Sequence, residues 1–137
     1  MKLVKSRNAP GILAYAGAKA VGWCAVAPRS DYFFLGRSRV LQEVDRLPVW
    51  SISCLFVLKD YRGQGVSAQL LRAAVEFAAA KGAKMVEGYP TIPYAERVPA
   101  AFLWTGTWSA FRRAGFTEVA RRSPSRPIMR ATATERH

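Results

Sequence analysis

Histidine is almost missing: the chain has one, His137, within a polar stretch at Ala131–His137 that reads as a frayed tail. That count excludes a zinc hydrolase and a Ser-His-Asp triad. Cysteine is scarce too, with Cys24 and Cys54 each inside an apolar run. They read as buried reduced thiols that can pair across a sheet, but they form neither a disulfide framework nor a metal ligand set. Acidic residues number 9 against 21 Lys and Arg, a formal net charge of +12. Such a field attracts polyanions. The basic residues are scattered, however, and no helix-turn-helix, zinc finger or aromatic-basic single-strand pattern accompanies them. A phosphate-rich cofactor or an acidic surface explains the charge more simply than a specific nucleic-acid site. No uninterrupted run of about 18 apolar residues occurs. Met1–Pro10 carries Lys2, Lys5 and Arg7 with no long apolar core behind them, so neither a membrane span nor a secretion signal is expected. The expectation is a soluble cytoplasmic protein with no membrane partner.

What is present is apolar, half of 137 residues, which fits a single domain over residues 1–130 with a core of its own. Gly11–Ala16 (GILAYA) and Ala20–Ala27 (AVGWCAVA) alternate as the two strands of a hairpin around Gly17-Ala18-Lys19. Arg29–Pro48 is mainly connection, with an aromatic knot at Tyr32–Leu35 and a short helix expected at Arg39–Asp45. A connection this long in so small a domain is often a substrate-side element. Val49–Leu58 is apolar on both faces, as a central strand must be. Then Val66, Leu70, Leu71, Ala74, Val75 and Ala78 recur at helical spacing to about Lys81, with Gly82 as the stop, and Lys84–Gly88 forms another short strand. Strand, helix, strand at this length implies a right-handed crossover between parallel neighbours, hence an α/β sheet. Tyr89–Pro99 holds three prolines and reads as a loop. A helix is expected over Thr105–Ala114, capped by Thr105 or Thr107 and ended by Gly115, followed by a hairpin of Phe116–Arg122 and Pro127–Arg130.

The junction between central strand and long helix carries the functional signal. It reads Arg62-Gly63-Gln64-Gly65-Val66-Ser67. A helix start leaves about four backbone N–H groups without partners and gathers roughly half a positive charge, so it suits an anion. Gly63 and Gly65 let the chain bend sharply and keep side chains away from a phosphate, the amides of Gln64–Ala68 make a cradle, and Arg62 adds a charged clamp. The same residues also suit a plain tight turn. Neither the Walker spacing nor the dinucleotide G-x-G-x-x-G is present.

These residues carry a family likeness. Gln or Arg, two residues, Gly, one residue, then Gly or Ala is the signature of the GNAT superfamily of N-acetyltransferases, and the chain resembles it with Arg62, Gly65 and Ser67, the last a small departure. A second resemblance is Phe111-Arg112-Arg113-Ala114-Gly115-Phe116, similar to the family's late helix ending in Gly-Phe. The likeness implies a mixed sheet with two splayed parallel strands flanked by helices, with acetyl-CoA as cosubstrate. It implies that the backbone of Leu55, Phe56, Val57 and Leu58 pairs with the pantetheine arm, while Arg62, Gly63, Gln64, Gly65, Val66, Ser67 and Ala68 hold the pyrophosphate. A primary amine would attack the thioester directly in a ternary complex, and the amine would belong to a small molecule or a protein.

The amine must lose a proton, the carbonyl oxygen needs a donor, and the leaving thiolate benefits from a proton. A backbone N–H near Phe56 or Val57 suits the second task. Glu87, the acidic side chain on the strand beside the expected thioester, suits the first; its bland alternative is a surface charge or an ion pair with an arginine. For the third the family uses a late-helix tyrosine, and here Phe111 takes that place beside the cofactor with no proton to give. Tyr89 or Tyr94 would substitute, or would pack over the pantetheine. Cys54 has no histidine to activate it and reads as core. Tyr32–Leu35, Tyr89–Phe102 and Trp104 are expected to line the acceptor pocket, with Glu43, Asp45 and Glu96 attracting an ammonium group.

Relatives carry a strand and one or two helices before the hairpin, whereas about ten residues precede it here, so those N-terminal elements are expected to be missing. A homodimer would then cover the bare sheet edge. Two other readings compete with acetyl transfer: an acyl-CoA-binding protein of the same fold with little or no catalysis, and a polyanion-binding module using the same amides and the arginine-rich end.

Overall fold

The computed structural model describes residues 1–6, 10–32, 35, 37–90 and 108–133. Seven strands form one sheet: β1 (Lys2–Lys5), β2 (Gly11–Ala16), β3 (Lys19–Pro28), β4 (Trp50–Val57), β5 (Met85–Gly88), β6 (Thr117–Arg121) and β7 (Pro127–Thr132). Their spatial order is β1-β2-β3-β4-β5-β7-β6. Every neighbouring pair is antiparallel except β4 and β5, which the long helix α1 (Val66–Ala80) connects in parallel. A short helix, α2 (Trp108–Arg113), leads into the final hairpin.

The helical spacing of the α1 segment becomes one buried stripe. Val66, Leu70, Leu71, Ala74, Phe77 and Ala78 pack on Ile12, Ala14, Val21, Cys24, Val26, Ile52, Leu55 and Val57 of the sheet. Each large apolar side chain so buried contributes about 1.5–3 kcal/mol. Contact is close enough that a Cβ on Gly22 would lie 2.9 Å from Leu70. Phe111 of α2 joins the same layer, edge-on to Phe116 at 4.9 Å between ring centres. The opposite face of β5 and β7 is covered differently. There Leu35 and Leu41 of the β3–β4 connection pack on Tyr89 and Ile128.

Three features depart from the sequence reading. The N-terminal strand expected to be missing is present: β1 pairs with β2 from Lys2 opposite Tyr15 to Lys5 opposite Ile12. It went unread because two apolar residues between lysines make too short a pattern, although lysine-flanked shortness is how edge strands avoid further pairing. No helix forms over Arg39–Asp45, which bends instead. The carbonyl oxygens of Leu41, Gln42 and Glu43, which a helix would turn toward its own amides, accept hydrogen bonds from the guanidiniums of Arg29 and Arg122. Finally, β7 runs to Thr132 and the amide of Ala133 donates to the carbonyl of Lys84, so the first residues of the expected tail are part of the sheet.

The two cysteines are free. The register sets Cys24 opposite Leu55 and Cys54 opposite Ala25, which sends the two thiols to opposite faces of the sheet and rules out a bridge. Burial pushes both thiols above the ordinary range, Cys24 most.

Candidate active site

The parallel pair comes apart after two rungs. Trp50 stands opposite Val86 and Ser51 opposite Glu87; then β5 ends at Gly88 while β4 continues through Ile52 to Val57. A bulge marks the place, since Val26 faces Ile52 and Ala25 faces Cys54, leaving Ser53 as an extra residue that turns the strand. Beyond the fork β3 is the one strand hydrogen-bonded to β4 among the described residues. Leu55 and Val57 bury their side chains toward α1, and Phe56 and Leu58 are half-buried.

After β4 a 3-10 turn at Lys59–Tyr61 leads into the glycine bend. Gly63 has φ 77° and Gly65 φ 81°, the left-handed region where a side chain is disfavoured. Gly65 is the N-cap of α1 and, among the described residues, no side-chain cap occupies the helix start, which leaves its first-turn amides to an incoming acceptor. A Cβ at either glycine would meet nothing within 4 Å, so the bend is open on that side. Arg62 folds back, its Nε donating to the carbonyl of Val57 at 3.0 Å, and Gln64 donates to the carbonyl of Asp60 at 3.2 Å. Val66 and Ala68 are buried beneath the bend, with Ser67 half-buried.

On the other side of the fork lies a buried polar cluster. Glu87 is 1% exposed and both of its oxygens are engaged. Oε1 accepts from Arg29 Nη1 at 3.1 Å and from the Tyr89 hydroxyl at 2.7 Å; Oε2 accepts from Arg130 Nε at 2.8 Å. Arg130 directs its remaining nitrogens to Asp45 at 2.7 and 3.0 Å. Tyr89 also receives Arg29 Nη1 at 3.0 Å and lies 2.6 Å from Ser51 Oγ. Burial, then the charge of Glu87, pushes the Tyr89 hydroxyl above the usual phenol range. Hydrogen bonds from Arg130 hold the Asp45 carboxyl below the carboxylate range, and Asp45 in return raises Arg130.

Arg29, Trp50, Glu87 and Arg130 also line a cavity of about 540 Å³, roofed by the β3–β4 connection with Glu43, Asp45, Arg46 and Leu47 at its rim. Two arginines hold that roof. Arg29 Nη2 reaches the carbonyls of Leu35 and Leu41, and Arg122 grips those of Gln42 and Glu43.

Of the residues singled out from sequence, the fold brings Glu87 and Tyr89 together at the fork, and sets Leu55–Leu58 and Arg62–Ala68 along and beyond the strand that leaves it. Phe111 is fully buried, wedged between Gly88 and Phe116. Phe33, Phe34, Tyr94, Glu96, Phe102, Trp104, Thr105, Thr107 and His137 lie outside the described residues. Sequence reasoning missed Ser51, Arg29 and Arg130. A usable signal existed for the last: Arg130 and Glu87 are each a lone charge inside an apolar strand, and the register sets them opposite one another.

Residues 3–97 match the family model described as the acetyltransferase (GNAT) family. No match was found among curated proteins. Solved structures with the same fold include the ribosomal-protein-S18-alanine N-acetyltransferase from Escherichia coli, at TM-score 0.58 and 14% identity, covering 97% of this chain and 74% of that one. Nourseothricin acetyltransferase aligns at TM-score 0.56 and 22% identity over 90% of this chain and 64% of its own. A GNAT-family acetyltransferase from Streptococcus pneumoniae aligns at TM-score 0.56 and 16% identity over 90% of this chain and 65% of its own.

Proposed function

The chain belongs to the acetyltransferase (GNAT) family, and on that premise we propose that it transfers an acetyl group from acetyl-CoA to a primary amine by direct attack in a ternary complex. The observation that carries this reading is a strand that loses its parallel partner at Ser51 and runs on to an uncapped, glycine-opened helix start. The cosubstrate supplies an activated thioester carbonyl with a thiolate leaving group. The chain supplies the rest. Amides of Gln64, Gly65, Val66, Ser67 and Ala68 hold the pyrophosphate, with Gly63 leaving room and Arg62 adding charge. The backbone of Leu55–Leu58 orients the pantetheine arm, and an N–H near Phe56 or Val57 donates to the carbonyl oxygen.

Glu87 and Tyr89 handle protons in this scheme. Tyr89 has one proton and gives it to Glu87, so its role fits a conduit to the carboxylate better than an acid for the thiolate. Phe111 packs against Gly88 and closes the layer beneath the fork. For the acceptor, the named relatives include one acting on nourseothricin and one on a ribosomal-protein alanine. A cavity of about 540 Å³ suits a small-molecule amine, and a protein amine would enter by its exposed rim.

A second reading is an acyl-CoA-binding protein with little catalysis, favoured by the engagement of both Glu87 oxygens and the absence of a hydroxyl on Phe111. Mixing the protein with acetyl-CoA and a panel of amines separates the two. Release of free thiol that depends on the amine supports transfer; saturable binding with no thiol from any amine supports the second reading.

A further inference from the structure

Tyr32 joins two places that acetyl transfer needs close to one another. It follows the 3-10 turn at Arg29–Asp31, and its amide donates to the carbonyl of Arg29 at 3.0 Å. The side chain is half-buried, lines the cavity with Arg29 and Trp50, and packs against Leu35, Leu41, Tyr89 and Ile128. Its hydroxyl hydrogen-bonds the side chain of Ser53. Ser53 is the extra residue of the bulge, two positions past the last rung with β5, and is itself half-buried. The tyrosine therefore spans from the cavity to the stretch of β4 that has left β5. Direction along that stretch then matters. The glycine bend lies past Leu58, so an arm held by the backbone from Leu58 back to Leu55 points its far end at Cys54 and Ser53, each residue advancing it about 3.3 Å. In the acetyl-transfer reading the sulfur is at that end. Burial pushes the Tyr32 phenol above its ordinary range, so it keeps its proton at neutral pH and can donate.

We propose that Tyr32 is a catalytic residue whose hydroxyl donates a hydrogen bond to the sulfur of coenzyme A as the carbon–sulfur bond breaks. This rests on the acetyl-transfer reading above. As the amine nitrogen bonds to the acyl carbon, the carbon–sulfur bond breaks with its electron pair on sulfur, and the nitrogen loses a proton to solvent by way of the cavity rim. The products are an amide and a thiolate held by the phenol. Solvent returns a proton to the sulfur as the thiol leaves. Tyr32 keeps its own proton throughout, because a phenol held above its ordinary range is a weaker acid than a thiol. Ser53 is a positioning residue that fixes the hydroxyl at the bulge.

A bound thiol reports this contact without turnover. Coenzyme A is titrated with pH on the protein, its thiolate read by ultraviolet absorbance against the desulfo analogue; Cys24 and Cys54, both pushed above the ordinary range, add little. The ionisation constant of the bound thiol should be about 10- to 100-fold larger on wild type than on Tyr32→Phe, the worth of one hydrogen bond to a charged atom. In turnover, Tyr32→Phe should lower kcat for amine-dependent thiol release by about the same 10- to 100-fold, with the KM for the amine little changed. A residue that merely shapes the cavity would raise KM and spare kcat. The acetyl selenoester of coenzyme A, whose selenolate leaves with less help, should restore most of the loss. Equal ionisation of the bound thiol on both proteins overturns the proposal, as does a kcat within about threefold of wild type or an undiminished deficit with the selenoester. Should Tyr32→Phe not fold, Ser53→Ala carries the same comparisons with a smaller loss expected, and no loss in any of them overturns the proposal. A wild type that shifts the bound thiol yet releases none with any amine keeps the contact and refutes the transfer reading, and the catalytic role with it. One that does not bind coenzyme A refutes both.

Discussion

Adding one methyl group at Gly88 should unsettle the layer that supports the fork. The backbone there is ordinary, so the effect is purely one of space. A Cβ at that position would lie 2.0 Å from Cε1 of Phe111, 2.6 Å from Cζ and 2.9 Å from Cδ1. Carbon atoms in contact prefer about 3.5–4.0 Å, so the ring edge must retreat by roughly 1.5 Å or the strand must move. Neither is easy: Phe111 is fully buried, and Phe116 meets it edge-on at 4.9 Å and 87°. Overpacking of this kind costs about 1–3 kcal/mol, and the 2.0 Å approach argues for the upper half. Gly88→Ala should therefore lower stability by about 2–3 kcal/mol in urea titration, with a fall in Tm of roughly 6–12 °C. Phe111→Leu removes the offending ring atoms at its own cost of cavity and lost area. Combining the two should give back at least about 1 kcal/mol relative to the sum of the single losses. A Gly88→Ala protein within about 0.5 kcal/mol of wild type, or a strictly additive pair, would refute the contact and the rigidity assigned to it.

Three further outcomes are expected. Gly65→Ala places a side chain at φ 81°, so it should destabilise by about 1–2 kcal/mol and, if the bend holds a diphosphate, weaken acetyl-CoA binding by calorimetry; unchanged affinity would remove the bend from the cofactor site. Glu87→Gln leaves two guanidiniums facing a neutral amide in a buried place, which should cost about 3–5 kcal/mol in denaturant. In folded enzyme at low temperature its turnover should drop far more than its cofactor affinity, and undiminished turnover would sink the assignment. Asp45 is held below the carboxylate range by Arg130 when folded, so the unfolded chain protonates first as pH falls. Its contribution is complete above the ordinary carboxylate range and is lost as pH drops through the folded value. The urea midpoint of wild type should accordingly fall more steeply in acid than that of Asp45→Asn, and equal slopes would count against the pairing.

Most elements were legible because their signals are local. The hairpin of β2 and β3 shows alternation with a glycine turn, β4 shows apolar residues on both faces, and α1 shows a stripe at helical spacing beside Gly82. The glycine bend was legible for the same reason, since six consecutive residues carry it. The polar cluster was not. Arg29 and Glu87 are 58 positions apart, Arg130 and Glu87 43, and Asp45 and Arg130 85, so the partnerships exist only once seven strands have found their order. Glu87 stood out as a charge on an apolar strand, but its saturation by two arginines and a tyrosine depends on that order. The short helix foreseen over Arg39–Asp45 failed because remote guanidiniums compete for the carbonyls that a local pattern assigns to the helix.

Arg29 and Arg122 grasp main-chain oxygens of Leu35, Leu41, Gln42 and Glu43. Any residue offers such an oxygen. A canopy fastened in this way can exchange its outward side chains without slipping from its mounting. If the chain performs the acetyl transfer proposed above, preference for the acceptor is rewritten at Glu43, Arg46 and Leu47 while the shape of the chamber persists. Swapping those three positions in a library should yield many folded proteins with altered preferences and few unfolded ones.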